Sequence, residues 1–263
     1  VKTILFSSVA VVLLGLGTQA HAGDMFEYNW NHGEPGGGRS NAGGTWNSFN
    51  ATYNSSTNTF SLDVTFSDAV TNALSFAISP GPNPKNHPGE LAYFYMADGT
   101  NQPEDVTLSA YGYNGKNTNS YKDGNGYAGG NQSPDLIASS ELDDSWIQSM
   151  SVTTEGGMRT FSLTIDASII NGHVPMYPSA TEPWTGVEFG ESIGIWARAW
   201  DRSGANGTTY EDGLIKGWSY GKNGWFDAAN LEATVIPLPP AFALGGFGLL
   251  SACGLAALRR RTA

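Results

Sequence analysis

From Gly23 to Thr234 apolar residues recur at every second position in short runs, and no long stretch repeats them every 3.6 residues. Phe60, Leu62, Val64 and Phe66 alternate with Ser61, Asp63 and Thr65, and Phe161, Leu163 and Ile165 repeat the pattern, as do Leu74, Phe76 and Ile78. Period two is the mark of a strand with one buried face. The unbroken apolar run from Leu91 to Met96 predicts a strand covered on both faces. Val106 to Ala110 and Leu231 to Val235 complete the clearest set, and weaker segments lie at 46–53, 135–139, 147–153 and 213–219. The one helical candidate is a single turn, Asp166 to Asn171, with Asp166 as cap and Asn171-Gly172 as stop. Met25 to Gly44 and Gly112 to Pro134, rich in Gly and Asn, read as long surface loops. About ten strands separated by polar turns predict an all-β fold, an antiparallel β-sandwich of jelly-roll type.

The two ends follow different rules. Lys2 precedes a run from Ile4 to Leu16 that is almost wholly apolar or small, and Ala20-His21-Ala22 is a small-x-small cleavage site. Residues 1–22 therefore read as a signal peptide with its own short helix, leaving a mature chain that begins at Gly23. Near the other end, Val235-Ile236-Pro237-Leu238-Pro239-Pro240 breaks the pattern, Ala241 to Leu258 carries no charge, and Arg259, Arg260 and Arg261 follow. A helix over 241–258 rises ~27 Å, close to one hydrocarbon thickness. The arginines favour the cytoplasmic side, so the residues before the span are expected outside it, as the signal peptide independently requires. A plain membrane anchor has the same features.

The short proline motif, the single span and the arginine cluster together resemble a PEP-CTERM-type sorting tail, and Pro237-Leu238-Pro239-Pro240-Ala241 resembles its VPLPA-like variant. The resemblance covers only residues 235–263. It implies export across the inner membrane, transient anchoring there, and cutting near the proline motif by an exosortase-like membrane protease. It also implies a place at the cell surface or in the extracellular matrix of bacteria that make exopolysaccharide. It implies nothing about the domain's own activity.

All 24 acidic residues lie between the two ends, whereas Lys2 and the three terminal arginines are four of the 13 basic ones. Residues 23–234 thus hold 9 basic residues against 24 acidic, a formal charge of −15. Such a surface repels nucleic acid and anionic lipid. The only cysteine, Cys253, lies in the tail, so the domain has no disulfide, thiol nucleophile or cysteine metal site.

Several motifs touch on chemistry. Gly217-Trp218-Ser219-Tyr220-Gly221 matches a nucleophile pattern that requires a helix after the serine, but Lys222-Asn223-Gly224 is turn chemistry. His32, His87 and His173 are the available bases, and none has a distinctive context. Glu141-Leu142-Asp143-Asp144 superficially resembles the acidic strand of laminarinase-like glycosidases, but it lacks the further carboxylate that such a strand carries and suits a solvated turn. Asp123-Gly124-Asn125-Gly126 offers oxygen ligands for Ca²⁺ yet departs from the EF-hand pattern, and it suits an Asp-Gly and Asn-Gly turn better. Ser79 to Lys85, with three prolines, is a stiff loop. No residues are assigned as catalytic or as metal ligands.

Ile193 to Asp201 is the most informative segment. On a strand Ile193, Ile195, Ala197 and Ala199 face one way, while Trp196, Arg198 and Trp200 face the other. Two indoles flanking a guanidinium, each ~7 Å from it along the strand, make a platform for sugar rings, with Arg198 and Asp201 for hydroxyls. Trp184, Tyr210, Trp218, Tyr220 and Trp225 are placed in sequence to extend it. The same aromatics also suit a sandwich core. The sequence thus leads to a non-enzymatic exported matrix protein with Trp196, Arg198, Trp200 and Asp201 as polysaccharide ligands. A secreted polysaccharide-acting enzyme and a purely structural matrix protein are the alternatives.

Overall fold

The computed structural model describes residues 23–34, 45–67, 71–80, 92–99, 105–112, 135–177, 187, 189–201, 208–211, 214–218 and 225–238. The signal peptide, the span over 241–258, Pro239, Pro240 and the three terminal arginines lie outside them. Among the described residues no helix is long and apolar enough to cross a membrane.

Thirteen strands and one helical turn run in chain order. They are β1 (Asp24–Asn31), β2 (Thr45–Asn54), β3 (Thr59–Ser67), β4 (Thr71–Ser79), β5 (Ala92–Asp98), β6 (Val106–Gly112) and β7 (Asp135–Ser139). After these come β8 (Ile147–Glu155), β9 (Met158–Asp166), α1 (Ser168–Asn171), β10 (Ser192–Asp201), β11 (Thr208–Glu211), β12 (Leu214–Trp218) and β13 (Trp225–Pro237). Each alternating segment of the sequence becomes a strand. The loop expected over Met25 to Gly44 does not hold at its start: Phe26, Tyr28 and Trp30 alternate with polar residues and form β1. The helical turn begins at Ser168, two residues after Asp166, whose Oδ1 accepts the Ser168 amide at 2.9 Å.

Eleven strands form one continuous sheet in the order β7-β6-β5-β4-β10-β13-β1-β2-β3-β9-β8, every neighbour antiparallel, and β11-β12 is a separate hairpin. A sandwich would divide these strands between two sheets. Here β13 pairs with β10 on one side and β1 on the other, through Ser192↔Glu232 and Tyr28↔Ala233, and joins the halves. The sheet curls far enough for β6 to meet β8, the strand at its opposite edge.

The concave side holds the core. Phe60, Leu62 and Val64 from β3, Leu163 and Ile165 from β9, Phe76 from β4, Phe94 from β5 and Ile193 and Ile195 from β10 belong to one buried cluster. Aromatic rings carry much of it: Phe189 lies 4.7 Å from Tyr53 and 4.9 Å from Phe60, and Phe76 stacks on Phe94 at 4.7 Å. Offset ring pairs of this kind add about 0.5–1.5 kcal/mol beyond their buried area.

The ends of this unit meet. Asp24 pairs with Pro237, so the residue after Gly23 and the first proline of the C-terminal motif are neighbours in the sheet. The β2–β3 turn holds the same corner, with Ser55 Oγ accepting the Asp24 amide at 2.8 Å and Ser56 Oγ accepting the Gly23 amide at 3.0 Å. A Cβ on Gly23 would come within 2.7 Å of the Ser56 backbone nitrogen as well as crowding both serine hydroxyls, so position 23 favours glycine. Gly23–Pro237 forms one compact unit, and β13 runs three residues past Thr234.

Tyr28 and Tyr53 tie this region to pH. Tyr28 donates its hydroxyl to the Gly190 carbonyl at 2.7 Å, and burial pushes its pKa upward. Burial, aided by the Asp166 charge, also raises that of Tyr53. A folded pKa above the unfolded value means stability is complete below about pH 10 and is lost as pH rises through the folded values. Thermal unfolding should therefore show a melting temperature falling steeply above about pH 10, and Tyr28→Phe should weaken that fall while costing about 1 kcal/mol at neutral pH.

Candidate functional site

β10 lies inside the sheet between β4 and β13, so its backbone is held on both edges. Ile193, Ile195, Ala197 and Ala199 are fully buried members of the core. The alternate positions 196, 198 and 200 therefore occupy the opposite face of the sheet. Trp196 is half-buried and stands outside the core cluster.

Pairing shows what the backbone gathers there. Arg198 is opposite Trp225 of β13 and Ser75 of β4, Trp196 is opposite Asp227 and Ala77, and Trp200 is opposite Ala73. Directly paired residues have Cβ atoms ~5 Å apart, and residues two apart along a strand are ~7 Å apart. Position 198 is thus bordered by Trp196 and Trp200 along the strand and by Trp225 across it. On the β4 side the neighbours are small: Ala73, Ser75 and Ala77. A register shift separates Trp200 from Asp201, which pairs with Thr71 and leaves the strict alternation of the first three positions.

Of the aromatics that the sequence suggests as extensions, the structure brings Trp225 beside Arg198. Tyr210 and Trp218 belong to the β11-β12 hairpin, while Trp184 and Tyr220 lie outside the described residues. Sequence reading missed Asp227, because its relation to Trp196 depends on pairing between residues 31 apart in the chain. It also missed the continuation of this face over β5 and β6. Tyr95 follows Ser75, and Ser109 follows Tyr95, both buried within the protein. Ser109 Oγ donates to Ser139 Oγ of β7 at 3.3 Å. The buried polar residues Ser75, Ser79, Thr107, Ser109 and Ser139 all belong to this half of the sheet.

The other motifs resolve as follows. Glu141, Asp143 and Asp144 are exposed in the turn before β8, where Asp143 Oδ1 accepts the Ser145 amide at 2.9 Å. Those bonds from Ser145, backbone first, hold the Asp143 carboxyl below its ordinary range. Trp146 anchors the turn by donating Nε1–H to the Asp143 carbonyl at 2.8 Å. Gly217 and Trp218 end β12, and Ser219 lies outside the described residues, as do His87, Pro82, Pro84 and Asp123 to Gly126. His32 meets the Trp46 carbonyl through Nδ1 at 3.1 Å. His173 Nε2 lies 3.4 Å from Asp135 Oδ2, which also accepts the Met176 amide at 2.7 Å. That ring fills the space beside Gly112, where a Cβ would come within 2.8 Å of it. Among the described residues no group of three or more His, Cys, Asp or Glu side chains is placed to hold a metal ion.

No family model matches this chain, and neither a curated protein nor a solved structure is similar to it.

The two faces of β10 should respond oppositely to substitution. Ala197→Asp places a charge among Ile195, Phe76 and their neighbours and should abolish cooperative unfolding. Trp196→Ala should retain a single cooperative thermal transition, read by circular dichroism.

Proposed function

We propose that this is an exported bacterial surface or matrix protein whose curled sheet is a sandwich-like ectodomain and whose β10 face binds extracellular polysaccharide. The observation that supports the binding site is the register, which sets positions 196 and 200 along β10 and position 225 of β13 next to position 198, alternate to the core positions of β10. Ile193, Ile195, Ala197 and Ala199 fill the core side, which leaves the indole positions unneeded for that packing. A sugar ring presents a flat C–H face to an indole, a guanidinium donates to its hydroxyls, and a carboxylate such as Asp201 or Asp227 accepts from them. The neighbours on the β4 side, Ala73, Ser75 and Ala77, are small and buried.

Export rests on the signal peptide over 1–22, with cleavage after Ala22, and on the tail over 235–263. The fold agrees with this reading at one point. β13 ends at Pro237, the first proline of the motif, so an exosortase-like protease cutting beyond that residue would leave every described strand intact. Pro237, Leu238, Pro239 and Pro240 serve as the recognition motif, with Arg259, Arg260 and Arg261 fixing the span in the inner membrane. No cofactor is needed for this function; Ca²⁺ at Asp123 to Gly126 would concern that segment alone.

The test is a glycan array probed with the full chain in detergent and with Trp196→Ala and Arg198→Ala variants. Binding should fall at least tenfold in each variant with the thermal transition retained; variants that bind as the wild type would remove the site. Release of reducing sugar from a bound polymer, abolished by one carboxylate substitution, would instead establish the enzymatic alternative.

A further inference from the structure

We propose that the convex face of β1, β2, β3, β9 and β8 is a second contact surface, built for a neutral, hydroxyl-rich polysaccharide chain. It lies on the other half of the sheet from β10 and does not rest on the tryptophan site. Pairing across these strands aligns the outward residues in unbroken rows. One row runs Ser61, Thr164, Ser149 and another runs Thr65, Thr160, Thr153, from β3 through β9 to the edge strand β8. The rows continue on β2 and β1 with Ser, Thr and Asn, broken only by the carboxylate of Glu27, and Asp63 supplies a second carboxylate in the row between. No lysine, arginine or large apolar side chain interrupts them.

The chemistry selects the partner. Each hydroxyl both donates and accepts, as sugar hydroxyls do, and the carboxylates accept from neighbouring diols. With no cation on the face and a domain charge of −15, an anionic polymer is repelled. Met25 on β1 and Met158 on β9 stand in the flanking rows at opposite ends of the face, which offers a lipid or apolar protein surface little to bury against. Short side chains also lose little rotamer entropy on contact. Some are already fixed: Ser61 Oγ lies 3.0 Å from Thr164 Oγ1, and Thr65 Oγ1 lies 3.1 Å from Thr160 Oγ1. The sheet spaces the rows ~6.8 Å apart and the hydroxyls within a row ~4.8 Å apart, so a repeating polymer meets a repeating set of partners. A solvated sheet face would ordinarily mix long charged side chains of both signs, which this one lacks.

Sedimentation of the full chain in detergent with microcrystalline cellulose, curdlan and chitin, and with alginate as the anionic control, tests this. In a Trp196→Ala background the protein should still be depleted by at least one neutral polymer and not by alginate. Adding Ser151→Arg and Thr153→Arg, both exposed on β8, should reduce that depletion at least tenfold with the thermal transition unchanged. Depletion indifferent to the arginines, depletion by alginate alone, or none by the three neutral polymers would overturn the proposal.

Discussion

The fold depends on the pairing of β13 with both β10 and β1. The two halves of the sheet, β7-β6-β5-β4-β10 and β1-β2-β3-β9-β8, share no other strand-to-strand seam among the described residues. β13 is the last of the described strands, so the two halves become one sheet only when that segment is in place. Its partner on one side is the first strand, which makes the seam a contact of very long range and costly in loop-closure entropy. The return is a single enclosed core. Leu231 and Ala233 of β13 pack against the same cluster as Tyr28, Phe60 and Ile193.

That arrangement suits a domain without disulfides. Its only covalent continuity is the chain itself, so stability comes from the large buried rings: Trp46 lies 4.5 Å from Phe66, and Phe66 meets Phe161 edge-on at 6.0 Å. The same seam brings Asp24 beside Pro237, so the places where the sequence predicts signal cleavage and sorting adjoin the same corner of the sheet. Gly23, hydrogen-bonded at Ser56, fits that corner because it lacks a side chain.

Much of this was legible in local pattern and little of it in long-range order. Alternation located β3 and β9 because each puts apolar residues on one face and mostly hydroxyls on the other, and β4 and β10 because large or aliphatic residues alternate with a second, distinct set: Ala and Ser on β4, Trp and Arg on β10. β1 carries the same alternation in Phe26, Tyr28 and Trp30, but the Gly- and Asn-rich segment after it drew the whole stretch into a loop reading. The first half of β13 offered no clean period: Asp227, Ala228, Ala229 and Asn230 are small or polar, and β10 breaks register opposite them between Ile193 and Ile195. Strand order could not be read, since pairing between segments two hundred residues apart leaves no mark on either one. The two faces of β10 were visible as a period, while Trp225 and Asp227 joined Arg198 and Trp196 only through β13. The hydroxyl rows show the same limit: each strand displays its own serines and threonines, and only the register makes them a surface.

Hydrogen exchange by mass spectrometry on the full chain addresses the seam most directly, because it ranks the opening of each strand within one molecule. Amides of β13 should exchange in the slowest class together with those of β1 and β10, through unfolding of the whole sheet. Fast exchange of β13 while β2, β3 and β9 remain protected would contradict the account, since the two halves would then stand without the strand that joins them.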